Sequence, residues 1–219
     1  MGRSTRSFLV WGSGGHGRVV ADLVRATGHR VLSYVDSDPA KLGQKVEPSG
    51  ETVSHLQDEL IRAIQEDGCY PPGVDASALG LGDNQLRLRC LRSLAGLVAP
   101  PLVHPSATVS PTARLGRGSV IFPQAVVNAG ARIDEAVIVN SGAIIEHDCV
   151  LHSGVHVSPG ATLCGGVRVG EGSWIGAGAT VIQDLTIGRD AIVGAGSTVI
   201  RDVSDDLTVV GRPARAIHS

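Results

Sequence analysis

"VNSGAIIEHDCVLHSGVHVSPGATLCGGVRVGEGSWI" (residues 139–175) carries an aliphatic side chain at every sixth position: Val139, Ile145, Leu151, Val157, Leu163, Val169 and Ile175. The same step runs outward through Val103, Val109, Leu115, Ile121, Val127 and Ile133, and through Val181, Ile187, Val193 and Val199, so that all 17 positions are Val, Leu or Ile without a slip. The third residue after each aliphatic is Gly or Asp in 13 of the 17 units, including Gly130, Gly142, Asp148, Gly166, Asp184, Asp190 and Asp202. The fourth is small in most, as at Ala107, Ala125, Ala143, Ala161 and Ala179. A period of six is that of a parallel β-helix, in which each unit forms one side of a triangle and three units complete a coil. The aliphatic points inward and stacks on its equivalent one coil away, while Gly or Asp tolerates the left-handed backbone of each corner. Each fully buried aliphatic contributes roughly 1.5–3 kcal/mol, so the ladder is an ample driving force. It also explains why Gly supplies 29 of 219 residues, about twice the usual share of roughly 7%. Periodicity leaves the handedness open.

The first hundred residues follow another pattern. "RSFLVWGSGGHGRVVADLVRATGHRVLSYVDSDP" (6–39) reads as strand, glycine turn, amphipathic helix, strand and acidic turn. "ETVSHLQDELIRAIQEDG" (51–68) reads as helix, "ASALGLGDN" (76–84) as strand and turn, and "NQLRLRCLRSLAG" (84–96) as helix. Alternating β and α segments make a small parallel α/β domain. "APPLVHPSA" (99–107) links it to the solenoid, its prolines discouraging helix. The expected organisation is an α/β, Rossmann-like half domain over residues 1–101 and a β-helix over 102–219.

Composition narrows the function. A net charge of −2 and 3% aromatic residues give neither the basic surface nor the stacking platforms of a nucleic-acid binder, nor an attraction to anionic membranes. The opening "MGRSTRSFLVWGSGGHG" has no apolar core of signal-peptide length, and no later run approaches a membrane span. Cys69, Cys90, Cys149 and Cys164 lack CxxC spacing. They are expected to be reduced thiols of a cytoplasmic protein.

Two stretches carry candidate chemistry. Gly12, Gly14 and Gly17 fit G-x-G-x-x-G between a strand and a helix, with Asp36 nineteen residues beyond Gly17. In that fingerprint backbone N–H groups and a helix N-terminus receive phosphates, and the acid takes a ribose hydroxyl. The domain is short for a complete NAD site. A half-site for one nucleotide diphosphate is expected, with His16 directed from the turn; a tight turn without ligand is the alternative. The second stretch holds His147, His152 and His156. His147 is the second residue after Ile145, and one coil later the same place is Gly165. With coils spaced like paired strands, about 4.8 Å apart, one reacting centre touches both. Clustered histidines fit a metal site, a proton-transfer site or a polar surface, and a histidine stacked on a glycine N–H is a geometry that acyl transfer can use. Asp148 occupies a corner, where Asp recurs without catalytic reason. His152 reads as a solvated coil residue; His29, His55, His104 and His218 read as surface. Cys149 and Cys164 are nucleophiles in principle, but Cys149 holds an inward small position. The His147–His152 spacing resembles the closer histidine pair of the left-handed β-helix carbonic anhydrases, whose third zinc histidine lies about two coils earlier; the chain has Pro111 there, so no metal is expected.

The two halves together resemble the NeuD/PglD-type sugar acyltransferases, left-handed β-helix enzymes that acetylate nucleotide-linked amino sugars. The resemblance rests on "GSGGHGRVVAD" (12–22), "VDSDP" (35–39), "LGLGDNQLR" (79–87), "IIEHDCVLHSGVHVSPGATLCGGVRVG" (144–170) and "VVGRPAR" (209–215). It implies a left-handed solenoid in a homotrimer, with acetyl-CoA in the cleft between neighbouring solenoids and the amino sugar held by the small domain. Carried over by position, it implies His147 as general base, Asp148 (usually Glu in the family) as its partner, and Gly165 as oxyanion donor. His156, Gly165, Ala177, Ala195, Pro213 and Arg215 would meet acetyl-CoA. Gly12, Ser13, Gly14, Gly15, His16, Gly17, Asp36, Asp38, Gly82 and Asn84 would meet the nucleotide sugar. The implied activity is N-acetylation of the 4-amino group of a dideoxy amino sugar on UDP (a 2-acetamido-4-amino-trideoxyhexose) or GDP (perosamine), feeding bacterial glycan or O-antigen synthesis. The alternatives are O-acetylation of sialic acid or another sugar hydroxyl, and a non-catalytic nucleotide-binding solenoid.

Overall fold

The computed structural model describes residues 4–68 and 70–217; Cys69 and His218 lie outside the described residues. The chain divides into two compact units after Leu102.

The first unit contains β1 (Ser7–Trp11), α1 (Gly15–Ala26), β2 (Arg30–Asp36), β3 (Val53–Leu56), α2 (Gln57–Asp67), β4 (Ala76–Leu79) and α3 (Asn84–Leu94). Its strands form one parallel sheet in the order β3-β2-β1-β4. Every residue of β1 is buried, as expected of a central parallel strand covered on both faces. Helix α1 packs Val20, Ala21, Leu23 and Val24 into the core. The segment 51–68, expected to be helical throughout, opens instead with β3. Val53 turns inward and Ser54 outward, a period of two that the adjoining helical pattern obscures, and Val53 pairs with Tyr34. The helix starts only at Gln57, with Asp58 and Glu59 in its first turn, and ends on Gly68 at φ 61°. Connections leave β1 and β4 in opposite directions along the sheet. Their carboxyl ends therefore form the switch point at which open α/β sheets hold ligands.

The second unit is a left-handed parallel β-helix. Two-residue strands stack into three parallel sheets. One runs through Val126–Val127, Ile144–Ile145 and Thr162–Leu163; the next through Arg132–Ile133, Val150–Leu151 and Arg168–Val169; the third through Ile138–Val139, His156–Val157 and Trp174–Ile175. From Ile121 onward the aliphatic ladder is buried, with Ala125, Ala143, Ala161 and Ala179 filling the space beside it. Val103, Val109 and Leu115, in the first coil, are only partly covered. The corners are left-handed where Gly or Asp stands, as at Gly142 (φ 66°) and Asp148 (φ 58°), and even where Gln124 and Ala136 stand. The register holds to Val199 and then shortens. Val203 pairs with Ile187 and Val209 with Val193, sixteen residues apart rather than eighteen. Asp202 is accordingly not a left-handed corner; its carboxylate accepts the Thr186 N–H at 2.8 Å. An antiparallel hairpin, Thr208–Gly211 with Ala214–Ile217, ends the solenoid.

Candidate active site

His147 follows the strand Ile144–Ile145 at a corner, where both it and Asp148 are exposed. Its Nδ1 lies 2.9 Å from Asp148 Oδ2. With Nδ1–H donated to the carboxylate, the lone pair is left on Nε2. This hydrogen bond raises the His147 pKa above the ordinary 6.5; desolvation opposes the rise, and the charges of Asp148, Glu146 and Asp184 add to it. Asp, shorter than the Glu usual at its place, therefore still reaches the imidazole. The ring lies over Gly165 one coil on: a Cβ there would fall 2.5 Å from Nε2 and 2.6 Å from Cε1. The coil-to-coil ladder uses the Gly166 N–H, donated to the His147 carbonyl at 2.9 Å, and the Gly165 carbonyl, which accepts from Asp184 N at 2.9 Å. Asp148 also answers its corner, its Oδ1 lying over Gly130 as Asp184 Oδ1 lies over Gly166. The neighbouring thiol is enclosed. Cys149 is buried, donates to the Cys164 carbonyl at 3.2 Å, and has its pKa pushed by burial to about 11.

His156 is nine residues, half a coil, from His147, and so lies on the sheet opposite the His147 corner. One chain does not bring the two together. His156 is buried because Trp174, its register partner one coil on, stacks on it with centroids 5.6 Å apart and planes at 5°. Asn140 Nδ2 stands 3.2 Å from its Nε2, and Trp174 Nε1 donates to Ser158 Oγ at 2.6 Å. Sequence reasoning missed Asn140 and Trp174; one step of a coil from His156 finds Trp174, but nothing in the sequence says that the rings stack. His152 is separate again, with its Nδ1 3.1 Å from Asp134 Oδ2 on an exposed corner. Among the described residues no group of three or more His, Cys, Asp or Glu is placed to hold a metal ion. Nor is any helix there long and apolar enough to cross a membrane.

Ala177 and Ala195 occupy equivalent, exposed corners of successive coils, and Gly176 packs against the Ala195 backbone. The terminal hairpin continues this edge. Arg212 Nε donates to the Gly196 carbonyl at 2.6 Å, Pro213 follows, and Arg215 is exposed with Nη1 donating to the Ala214 carbonyl at 2.9 Å.

At the switch point of the first unit the glycines differ in their reasons. A Cβ on Gly17 would fall 1.8 Å from the Gly12 carbonyl oxygen, and one on Gly12 2.6 Å from that of Gly80. Gly14, Gly15 and Gly82 instead face open space, leaving backbone accessible at the start of α1. Asp36 is buried. Its carboxylate accepts from the Ser13 hydroxyl, from Ser13 N (3.0 Å), Asp38 N (3.1 Å) and Lys41 Nζ (3.1 Å). Burial works to raise its pKa, but these bonds hold it at about 2. Asp36 thus fastens the glycine turn to the end of β2, at the place where the sequence suggests a ribose contact. Asp38 caps the next turn through Ala40 N at 3.0 Å. Beside Ser13 a cavity of about 250 Å³ is lined by Arg18, Lys41, Gln44, Lys45 and Glu47, a cationic wall suited to phosphates. His16 is half-buried and, through burial and then the charge of Arg87, has its pKa lowered to about 4. Asn84 Oδ1 accepts from Arg87 Nη2 at 2.8 Å. Arg87 lay within a quoted motif without an assigned part, because an arginine in a helix gives no sign of being buried.

Comparison with known proteins agrees with this architecture. Residues 7–94 match the PglD N-terminal domain, and residues 166–201 match the bacterial transferase hexapeptide (six repeats). No curated protein sequence matches the chain. Among solved structures, GDP-perosamine N-acetyltransferase from Caulobacter crescentus, in a complex with CoA and GDP-perosamine, is 36% identical with a TM-score of 0.87, and 97% of each chain is covered. The acetyltransferase domain of PglB from Neisseria gonorrhoeae FA1090, in complex with acetyl coenzyme A, is 38% identical with a TM-score of 0.86, covering 98% of this chain and 100% of that one. WeeI from Acinetobacter baumannii AYE, 23% identical with a TM-score of 0.81, shares the fold. With such identity over nearly the full length of both chains, this protein belongs to the NeuD/PglD-type sugar acyltransferases and is an acetyltransferase.

Proposed function

We propose that the protein transfers acetyl from acetyl-CoA to the 4-amino group of a nucleotide-linked dideoxy amino sugar, with His147 as general base. The observation that carries the reading is the His147 ring lying over Gly165 with Nδ1 held by Asp148. In the reaction the neutral sugar amine attacks the thioester carbonyl. As the C–N bond forms, His147 Nε2 accepts a proton from nitrogen, and the Gly165 N–H faces the oxyanion. Collapse of the tetrahedral intermediate breaks the C–S bond, and the imidazolium returns its proton to the departing thiolate. A thioester is already activated, so no acyl-enzyme is required, in keeping with the protonated state of Cys149.

Ala177, Ala195, Pro213 and Arg215 follow one edge of the solenoid and are assigned to the CoA moiety, with Arg215 at an anionic phosphate. Gly14, Gly15 and the cationic wall of Arg18, Lys41 and Lys45 are assigned to the nucleotide diphosphate. Because His156 and His147 lie half a coil apart, His156 serves the thioester only if a neighbouring protomer supplies it, in keeping with the homotrimer that the family resemblance implies. GDP-perosamine, present in the Caulobacter complex, and UDP-linked 4-amino sugars are the leading acceptors. The test is thiol release from acetyl-CoA with GDP-perosamine, a UDP-linked 2-acetamido-4-amino-trideoxyhexose and sialic acid as acceptors. Turnover with an amino sugar is expected. Turnover with sialic acid alone would replace the reading by O-acetylation.

A further inference from the structure

The backbone loops after β1 and β4 touch: a Cβ on Gly80 would fall 2.7 Å from Gly17 Cα and 3.0 Å from the Trp11 carbonyl oxygen. The glycine turn and the loop 80–84 therefore share one seam, and a shift in either moves the other. The turn is held from the β2 side by Asp36. The loop is held from below by Arg87, in the first turns of α3 and 0% exposed. Its Nη1 donates to the Leu81 carbonyl at 2.9 Å and reaches the Gly82 carbonyl at 3.4 Å, while Nη2 donates to Asn84 Oδ1 at 2.8 Å. Asp83 closes the arrangement, its Oδ1 capping α3 through Leu86 N at 2.7 Å. A planar, forked guanidinium satisfies several acceptors around one loop; a lysine ammonium carries the charge without the fork.

We infer that Arg87 is a positioning residue of the nucleotide site: its buried guanidinium fixes the loop 80–84, and through the Gly80–Gly17 seam it fixes the turn that receives the diphosphate. The inference rests on the proposed nucleotide-sugar reading for its ligand, but its structural half stands without one. His16, on that turn, reports it. Arg87 from α3 is a charged group acting on His16; Asp83 acts on Arg87, and Asp36 at the end of β2 is engaged by Ser13, Asp38 and Lys41.

The experiment compares wild type with Arg87→Lys and Arg87→Gln in the full chain, measuring GDP and UDP binding by calorimetry and the His16 titration by NMR without ligand. For whichever diphosphate wild type binds, both variants are expected to weaken binding about tenfold or more, with the KM for acetyl-CoA unchanged. The His16 pKa, held low first by burial and then by the Arg87 charge, should rise in Arg87→Lys, which keeps the charge but releases the turn, and rise further in Arg87→Gln, with thermal unfolding of Arg87→Lys within a few degrees of wild type. Wild-type affinity in both variants would overturn the inference, as would His16 titrating identically in all three proteins. Failure of wild type to bind GDP or UDP would instead strike the nucleotide-site reading, leaving the titration to decide on the brace. If Arg87→Gln does not fold, Arg87→Lys decides by its affinity.

Discussion

Gly17 and Gly142 are glycines for opposite physical reasons. Gly17, in the α/β unit, has no room for a side chain, because the Gly12 carbonyl occupies the place of its Cβ. Gly142, in the solenoid, has open space around it but turns its corner at φ 66°. Gly17 lets two backbones come together, whereas Gly142 lets the chain turn a corner. The solenoid accepts substitutes for that purpose, with Ala136 at φ 53° and Asp148 at φ 58°. That tolerance lets a carboxylate side chain occupy a corner. Asp148 turns the chain and orients His147 with one residue, whereas the contact between Gly12 and Gly17 admits no side chain.

Substitutions sharpen the contrast. Gly17→Ala forces one backbone off another and is expected to remove the cooperative unfolding of the small unit, with a loss of more than about 4 kcal/mol; a thermal scan within a few degrees of wild type would break the comparison. Gly165→Ala is intermediate, because its Cβ meets the imidazole of an exposed His147 rather than backbone. The ring gives way, so stability holds while kcat falls roughly 10²-fold; equal losses of stability and rate would contradict this. Gly142→Ala pays only for the left-handed angle and should cost about 1–2 kcal/mol with turnover intact, measured by urea unfolding. A loss as large as that of Gly17→Ala would show that solenoid corners are sterically closed after all.

The same distinction explains what the sequence could disclose. A step of six residues is a covalent property, so the ladder from Val103 to Val199 and the stacking of His147 on Gly165 follow from counting. The end of the ladder was also marked, since the step after Val199 lands on Asp205; that the chain would shorten and seat Val203 and Val209 inward was not, because that choice belongs to packing. The strand Val53–Leu56 was hidden because four residues beside a helix carry too short a period. The stacking of His156 on Trp174, the burial of Arg87 and the enclosure of the Asp36 carboxylate depend on where side chains fold. No spacing records that.

The most direct test of the central claim is the pH dependence of kcat/KM for wild type, His147→Ala and Asp148→Asn. A base must be unprotonated to accept the amine proton, and Asp148 raises the His147 pKa. Wild-type activity should therefore fall as pH drops through a value above the ordinary 6.5. That limb should move to lower pH in Asp148→Asn, where loss of the carboxylate lets the imidazole deprotonate more readily. In His147→Ala this limb should give way to the titration of the acceptor amine alone, and kcat drop by about 10²–10⁴-fold. An acid limb at the same pH in wild type, Asp148→Asn and His147→Ala, with kcat kept in His147→Ala, would assign the proton transfer to another group.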